Sequence, residues 1–315
     1  MTAPRGFTLV ELMISLVVFS LVVTGLLSVA VSLSGGMREQ RAAMSADAAA
    51  QLTLFAIADA LRQASPGAAS GRIIDAATCT TDALTVTGSS TGPDQIDVIY
   101  ATGGVVTSTR AAYTAGTTSL AITDASQLAA GDYVVISNLQ QGHLVKITAV
   151  NGTTLTLASQ CSPINLPSGG YPSGSLVIRA QHVAFSVGAV DGVPTMMMDA
   201  DASGPGVAEP FAEGIEDLQV ALGVDANGDG AITEVGAAPG DDEWQGNVAG
   251  DAALTGPIRA IRLTVVSRAT GALAGVATPF RRPAAEDRAA ATTFDGFRRR
   301  VLRSTIETRN LSGSP

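Results

Sequence analysis

The chain has 315 residues, of which 46% are hydrophobic and only 15% charged, and its formal net charge is −9. This composition is too apolar for a disordered chain, and the acidic balance and 4% aromatic content argue against a nucleic-acid-binding protein. Two Cys and two His are too few for a zinc site of the finger type.

The strongest feature is an apolar segment near the N-terminus. From Phe7 to residue 37 the only charged side chain is Glu11, and residues 12–33 carry no charge. As a helix these residues rise about 33 Å at about 1.5 Å per residue, which is enough to cross a hydrocarbon core of roughly 30 Å. The segment is therefore predicted to span a membrane.

The same segment predicts one long helix and an orientation. No Pro occurs between Arg5 and Pro66, so a helix over about 7–64 is expected. Arg5, before the apolar run, predicts a cytoplasmic N-terminus and an exported remainder. The alternative is a cleaved secretory signal, which has a shorter apolar core and no acidic residue inside it.

Residues 6–12, Gly-Phe-Thr-Leu-Val-Glu-Leu, resemble the class III leader of type IV pilins and pseudopilins. The resemblance implies that residues 1–6 are a leader, and that a prepilin peptidase cuts between Gly6 and Phe7 and methylates Phe7. It makes Glu11 the fifth residue of the mature chain and gives it a role in assembly. Glu11 is expected to lack a partner on its own chain. In a fibre it would pair with the free amine of a neighbouring subunit's Phe7, which favours one axial stagger of the helices.

The helix is divided into a transmembrane and assembly part, residues 7–35, and an amphipathic part, residues 36–65. Apolar side chains at helical spacing in the second part predict a face that covers a globular domain. The predicted packing face comprises Leu52, Phe55, Ala56 and Asp59, with Leu54, Ala58 and Leu61 on a neighbouring stripe.

After residue 66 the hydrophobic period changes to two, and β-branched runs alternate with Gly, Asn, Ser and Asp. Predicted strands cover residues 83–87, 95–101, 133–137, 144–150, 154–158, 176–180, 183–187, 195–198, 217–222, 259–267 and about 305–310. Asn151-Gly152 predicts a hairpin, and residues 102–130 are predicted as a loop. Residues 66–315, here called the head, are expected to include a small β subdomain at about 105–160. The fold class is α+β: a long N-terminal membrane-spanning helix continuing into a mostly antiparallel β head, similar to type IV pilins.

Three segments of the head add to the resemblance. Residues 214–225 look like a segment typical of PilW-type minor pilins, and residues 258–263 and 299–311 are similar to that family's two C-terminal strands. The resemblance implies a non-catalytic subunit that helps initiate a type IV pilus and sits at its tip. Its implied partners are the prepilin peptidase, other minor and major pilins and a pilus-tip adhesin, with lipid around the helix and no nucleic acid. The implied location is the inner membrane, with a periplasmic head, and then the fibre at the cell surface.

Two other functions stay open at this point. One is a GspJ-like minor pseudopilin of a type II secretion system, which uses the same helix in another machine. The other is a membrane-anchored exported enzyme or binding module. The sequence contains no Gly-rich phosphate loop, no Ser nucleophile elbow and no HExxH motif, so no enzymatic activity is predicted.

The acidic loop, residues 225–233, matches the first half of a calcium-binding loop. Its candidate ligands are the side chains of Asp225, Asn227 and Asp229, the carbonyl of Ala231, and Thr233. The pattern then departs, because residue 236 is Gly where a bidentate Glu is expected, and Asp241, Asp242 or Glu243 would have to supply that carboxylate. A weak Ca²⁺ site and a solvated Asp/Asn/Gly turn are equally compatible with this pattern.

Cys79 and Cys161 are the only cysteines and both follow the membrane segment. Because an exported compartment permits oxidation, a disulfide between them is expected rather than two separate thiols. His143 and His182 are interpreted as ordinary strand-edge histidines.

Charge is unevenly distributed along the chain. Residues 258–315 carry a net charge of +7 and residues 1–257 a net charge of −16. This asymmetry predicts internal pairing, head-to-tail subunit contacts, or two solvated faces of opposite charge. For the run Arg298-Arg299-Arg300, a solvated surface is preferred over pairing with a neighbouring subunit.

Overall fold

The computed structural model describes residues 8–114, 116–161, 170–234, 242–251, 253–272, 280–308 and 310–311. Within them, helix α1 (Leu9–Arg62) precedes fourteen strands. The strands are β1 (Ile73–Asp75), β2 (Leu84–Thr87), β3 (Gln95–Ser108), β4 (Ser119–Ala121), β5 (Tyr133–Ser137), β6 (Gly142–Asn151), β7 (Thr154–Leu157), β8 (Leu176–Val190), β9 (Val193–Asp199), β10 (Glu209–Glu213), β11 (Ile215–Val224), β12 (Trp244–Gln245), β13 (Ile258–Arg268) and β14 (Arg299–Glu307).

Helix α1 is continuous over 54 residues because helix-compatible residues run from its cap to its end without a Pro. Thr8 is the N-cap, and Gln63 is the C-cap, whose N–H donates to the carbonyls of the last turn. Ser65 then adopts a φ of +55°, which turns the chain out of the helical path before Pro66. The predicted helix over 7–64 agrees with α1 within two residues at each end.

The face of α1 that packs on the head differs from the main predicted stripe. Leu52 is 50% exposed, Phe55 is 70% exposed and Asp59 is exposed, so this stripe points away from the head. The buried face consists of Ala46, Ala50, Thr53, Ile57, Ala58, Ala60, Leu61 and Ala64. The prediction was wrong because both faces carry apolar residues. Small alanines permit a close approach of the helix to the strands, which larger side chains would prevent.

The strands form two sheets. The larger sheet has ten strands with the central order β10-β9-β8-β5-β6-β7-β4, and β3 also pairs with β8, β2 with β3, and β1 with β6. The smaller sheet has the order β12-β11-β13-β14. All named pairs are antiparallel except β1 with β6, which is parallel. This architecture confirms the predicted α+β fold class.

The main hydrophobic core joins α1 to both sheets. Ile57 and Leu61 of the helix belong to the same buried cluster as Ile96 of the larger sheet and Ile261 and Leu263 of the smaller sheet. The second half of α1 is therefore held by apolar burial against the head, which fixes the direction in which its first half extends.

Each predicted strand overlaps a strand in the structure, and some are longer than expected. The last prediction, about 305–310, was displaced, because β14 begins six residues earlier and ends at Glu307. The two segments 176–180 and 183–187 form one strand, β8, because Gln181 and His182 pair with Tyr100 and Ile99 of β3 inside the ladder. Strand β3 runs to Ser108, so the predicted loop over 102–130 was wrong in its first part and also contains β4. Polar residues inside a paired strand look like a boundary in a single sequence.

The hairpin at Asn151-Gly152 is confirmed. Asn151 pairs with Thr154 at the end of β6 and β7, and Gly152 has a φ of +62°. A tight turn of this kind requires the left-handed conformation, which Gly adopts without the steric cost of a Cβ atom.

Residues of the segment 105–160 surround a second hydrophobic cluster. Its members from this segment are Tyr113, Leu120, Ile122, Leu128, Val134, Ile136, Val145, Ile147, Leu155 and Leu157. Strand β5 also pairs with β8, so the segment shares the larger sheet with the rest of the head.

The C-terminal arginines are largely paired inside the chain. The side chain of Arg299 is 6% exposed and lies 2.5 Å from Glu216 and 2.6 Å from Asp295. Arg300 lies 3.3 Å from Asp47 of α1. The interpretation of residues 298–300 as a solvated run was wrong for Arg299, which β14 places beside Glu216, remote in sequence. Arg300 is exposed and makes a surface pair with Asp47.

Candidate functional site

The start of α1 holds Glu11 in a capping box. A carboxylate oxygen of Glu11 accepts hydrogen bonds from the Thr8 backbone N–H and hydroxyl, both at 2.9 Å, and the Glu11 N–H donates to the Thr8 hydroxyl oxygen at 3.3 Å. The expectation that Glu11 lacks a partner on its own chain was therefore wrong, since a Thr three residues earlier supplies one. The predicted cleavage residues Gly6 and Phe7 lie outside the described residues.

The first half of α1 presents bare apolar side chains. All its large hydrophobic residues from Leu9 to Leu33 are at least half exposed, with the exception of Val23, which is less exposed. One 18-residue window has a mean hydropathy of 2.6, and none of it is buried by the head. Among the described residues, α1 is the one helix long and apolar enough to cross a membrane. Such a surface requires an apolar environment outside the head.

Hydroxyl side chains within this half are satisfied by the helix itself. Ser15, Ser20 and Thr24 donate to the carbonyl oxygens of Leu12, Val17 and Ser20 at 2.8–2.9 Å. Because each hydroxyl has a partner on its own helix, these residues do not need water, and the helix is compatible with a lipid or helix-packed environment.

The acidic loop follows β11 and leads towards β12, and it bends around the carboxylate of Asp225. One oxygen of Asp225 accepts from the Gly230 N–H at 3.0 Å and from the Arg259 guanidinium at 2.7 Å. The hydrogen bond from Arg259 lowers the pKa of the Asp225 carboxyl. Asn227 and Asp229 are exposed, and their side-chain oxygens accept from backbone N–H groups two residues on.

Glu243 places a second buried carboxylate beside this loop. It is one of the three residues that the sequence suggested as the source of the missing carboxylate ligand. Its oxygens accept from the N–H groups of Ala226 at 3.2 Å, Asn227 at 3.4 Å and Thr233 at 2.9 Å. The Glu243 N–H donates to the Thr233 carbonyl at 3.0 Å. Thr233 is thus tied to Glu243 through its backbone, and Ala231 donates its N–H to Asp229. Among the described residues no group of three or more His, Cys, Asp and Glu side chains is placed to hold a metal ion.

Cys79 and Cys161 are joined by a disulfide, with Cα atoms 5.8 Å apart and a sequence separation of 82. The bridge attaches the turn after β1 to the segment after β7. The Cys161 N–H also donates to the Ala76 carbonyl at 2.7 Å.

Sequence reasoning missed a buried cluster of Asp75, His182 and Ser203. Nδ1 of His182 lies 3.0 Å from both the Asp75 carboxylate and the Ser203 hydroxyl, which itself donates to Asp75 at 2.6 Å. Burial opposes ionisation, but the hydrogen bonds from His182 and Ser203 lower the pKa of Asp75. A nucleophilic triad needs Ser and Asp on opposite ring nitrogens. Here both face the same nitrogen, so the cluster ties β1 and β8 to the segment after β9.

Comparisons with known proteins match an N-terminal and a C-terminal part of the chain. The family model of type IV pilus-assembly protein W, PilW, matches residues 184–310, and the prokaryotic N-terminal methylation motif matches residues 1–27. No curated protein matches the chain. Among solved structures, a type IV-like pilin from Thermus thermophilus is similar over 84% of this chain and 97% of that chain, with 13% identity and a TM-score of 0.38. The two family matches support a PilW-type type IV pilin, a class whose role is structural and pilus-related.

Proposed function

We propose that this chain is a minor pilin that helps initiate assembly of a type IV pilus and sits at its tip. The observation that carries the proposal is the uncovered apolar half of α1, continuous with a second half that is locked into the head. Burying such a surface contributes roughly 25 cal/mol per Å², so the helix moves only between apolar environments. Lipid surrounds it before assembly, and neighbouring helices surround it in the fibre.

Before assembly, the chain resides in the inner membrane with its N-terminus in the cytoplasm and its head in the periplasm. Arg5 precedes the apolar run, which favours this orientation. The prepilin peptidase cuts between Gly6 and Phe7 and methylates Phe7. The disulfide between Cys79 and Cys161 suits an oxidising, exported compartment.

Glu11 selects the stagger between helices. Alone in the membrane, its carboxylate accepts hydrogen bonds from Thr8. In a fibre, the amine of a neighbouring subunit's Phe7 offers a full positive charge, and a charge-assisted hydrogen bond is roughly twice as strong as a neutral one. When Glu11 exchanges its hydrogen bonds with Thr8 for a bond with this amine, incorporation of the subunit at one axial position is favoured.

The size of the head supports a low-copy position. The described part of the head contains two sheets, the larger with ten strands, and three hydrophobic clusters, the first of which also includes residues of α1. A subunit repeated along the fibre wall must fit beside copies of itself at every step, whereas a tip subunit has no copy above it. Other minor and major pilins, and a tip adhesin, are the proposed partners.

The first experiment measures sheared surface fibres from a strain that lacks the gene, complemented by wild type, Glu11→Ala or Ser20→Ala. We expect wild type and Ser20→Ala to restore fibres and Glu11→Ala not to, with all three chains present in the membrane at equal amounts. Ser20 is the matched control because its hydroxyl donates to the carbonyl of its own helix. Full restoration by Glu11→Ala would contradict the role of Glu11.

The second candidate, a GspJ-like minor pseudopilin, would use the same apolar helix and is tested in the same strains. Normal fibres together with lost secretion of exported proteins would assign the chain to a secretion pseudopilus. Normal fibres and normal secretion would leave a membrane-anchored binding module.

A further inference from the structure

The acidic loop contains a buried oxygen without a partner. The Asp225 side chain is fully buried, and while its Oδ2 contacts Gly230 and Arg259, its Oδ1 has no hydrogen-bond partner among the described residues. Since Oδ2 accepts a hydrogen bond from the Gly230 N–H, the carboxylate lies on the inner side of the loop. A buried charged oxygen left unpaired costs free energy, so its presence indicates a missing partner.

The charge around this oxygen is also unbalanced. Asp225 and Glu243 are both buried, and Asp229 adds a third, exposed carboxylate on the same loop. Arg259 is the cation within salt-bridge distance of Asp225, and the described partners of Glu243 are backbone N–H groups. The cation paired with Asp225 is thus partly exposed, with 37% of its side chain accessible, and Glu243 is held by backbone N–H groups. An added cation would lower this electrostatic cost.

We propose that the acidic loop binds one Ca²⁺ ion, with Oδ1 of Asp225 as its buried ligand. The side-chain oxygens of Asn227 and Asp229 and the carbonyl of Ala231 complete the protein ligands. Arg259 remains on Oδ2 of Asp225, and Glu243 holds the loop amides. This binding is independent of the proposed role in pilus assembly.

The ligand set predicts weak binding that favours Ca²⁺ over Mg²⁺. Two carboxylates, an amide and a carbonyl are hard oxygen ligands, and the irregular, partly exposed loop suits the flexible geometry of Ca²⁺ better than the octahedral geometry of Mg²⁺. The bidentate Glu of a complete calcium loop is absent at residue 236. A dissociation constant of about 10⁻⁴–10⁻³ M is expected, as in extracellular calcium modules.

The test is titration of the full-length chain in detergent with CaCl₂ and, separately, MgCl₂, followed by calorimetry and by the midpoint of thermal unfolding. Trp244 is the single Trp of the chain and directly follows Glu243, so its emission reports on the loop. We expect one ion per chain, a higher unfolding midpoint in Ca²⁺, and at least tenfold weaker binding in Asp229→Asn. Asp229 is exposed, so this variant keeps the fold even if Asp225→Asn does not.

The matched control is Asp191→Asn, which removes an exposed carboxylate from the β8–β9 turn, where the φ of +50° suits Asn as well as Asp. It should bind Ca²⁺ like wild type. Absence of both heat and a thermal shift in wild type at millimolar Ca²⁺ would overturn the proposal. An equal response of wild type and Asp229→Asn would also overturn it, because the ion would then bind elsewhere.

Discussion

Substitution of His143 tests whether one buried neutral histidine lowers the unfolding free energy of the head at acid pH. Its side chain is fully buried on β6, 6.0 Å from the ring of Tyr113 and 6.4 Å from that of Tyr171, measured between ring centroids. Neither ring nitrogen has a hydrogen-bond partner of good geometry among the described residues, and the nearby Gln160 side chain and the charge of Asp75 offset only part of the effect of burial on the pKa. Burial lowers the pKa of His143 from 6.5 to about 4, because the charged imidazolium is poorly solvated there.

The direction of the pH effect follows from the lowered pKa. In the unfolded chain His143 takes up a proton near pH 6.5, whereas in the folded chain it does so near pH 4. Its contribution is therefore fully present above pH 6.5 and is lost as the pH falls towards 4. At about 1.36 kcal/mol per pKa unit, the difference corresponds to about 3 kcal/mol of unfolding free energy.

The assay is urea unfolding of the full-length chain in detergent at pH 7 and pH 4, followed by Trp244 emission. Wild type should lose about 3 kcal/mol more than His143→Phe between these two pH values. His143→Leu should behave like His143→Phe, which separates the effect of charge from that of ring shape. Carboxylates remote from His143 titrate equally in all three chains and cancel in the comparison, and Asp75, whose charge acts on His143, has a lowered pKa. Equal losses in wild type and both variants would refute the reasoning.

Three further changes test the packing of the head. Cys79→Ser should lower the unfolding free energy by about 4 kcal/mol, because it opens a loop of 82 residues, and unchanged stability in urea would contradict this. Arg299→Ala should cost about 1–3 kcal/mol by leaving the partly buried carboxylates of Glu216 and Asp295 without their guanidinium partner, whereas Arg300→Ala, whose side chain is 47% exposed, should cost about 1 kcal/mol or less in the same thermal assay. Ile57→Ala should cost about 2–5 kcal/mol through a cavity under α1, and Phe55→Ala should change stability by about 0.5 kcal/mol at most. Equal costs for the last two would mean that the helix packs through its other face.

Local sequence patterns were sufficient to predict the long N-terminal helix. The span of α1 depends on neighbours within a few residues, which the chain carries in consecutive order. The capping box of Thr8 and Glu11 is equally local, but it was not predicted. The Asn151-Gly152 hairpin was predictable for the same reason. These features arise from helix geometry, turn chemistry and the thickness of a membrane, all of which act over short stretches of chain.

The packing face of α1 shows where local pattern stops being sufficient. Leu52 and Phe55 are more hydrophobic than Ala46 and Ala50, yet the alanines are buried. Hydrophobicity orders residues by their transfer free energy, but the contact surface is selected by how closely the helix backbone can approach the strands. That distance is a property of the sheet, which the helix sequence does not contain.

The sequence by itself determined the class of this protein: an apolar helix with a processing motif and an early Glu, followed by short β-branched strands. Only the tertiary structure decided which distant groups meet. It placed Asp75 beside His182 and Ser203, which follow it by 107 and 128 residues, and it placed the carboxylate of Glu243 against the acidic loop. The physical reason is that such contacts depend on strand register and on the order of strands in the sheets, where a shift of one residue turns each side chain to the opposite face.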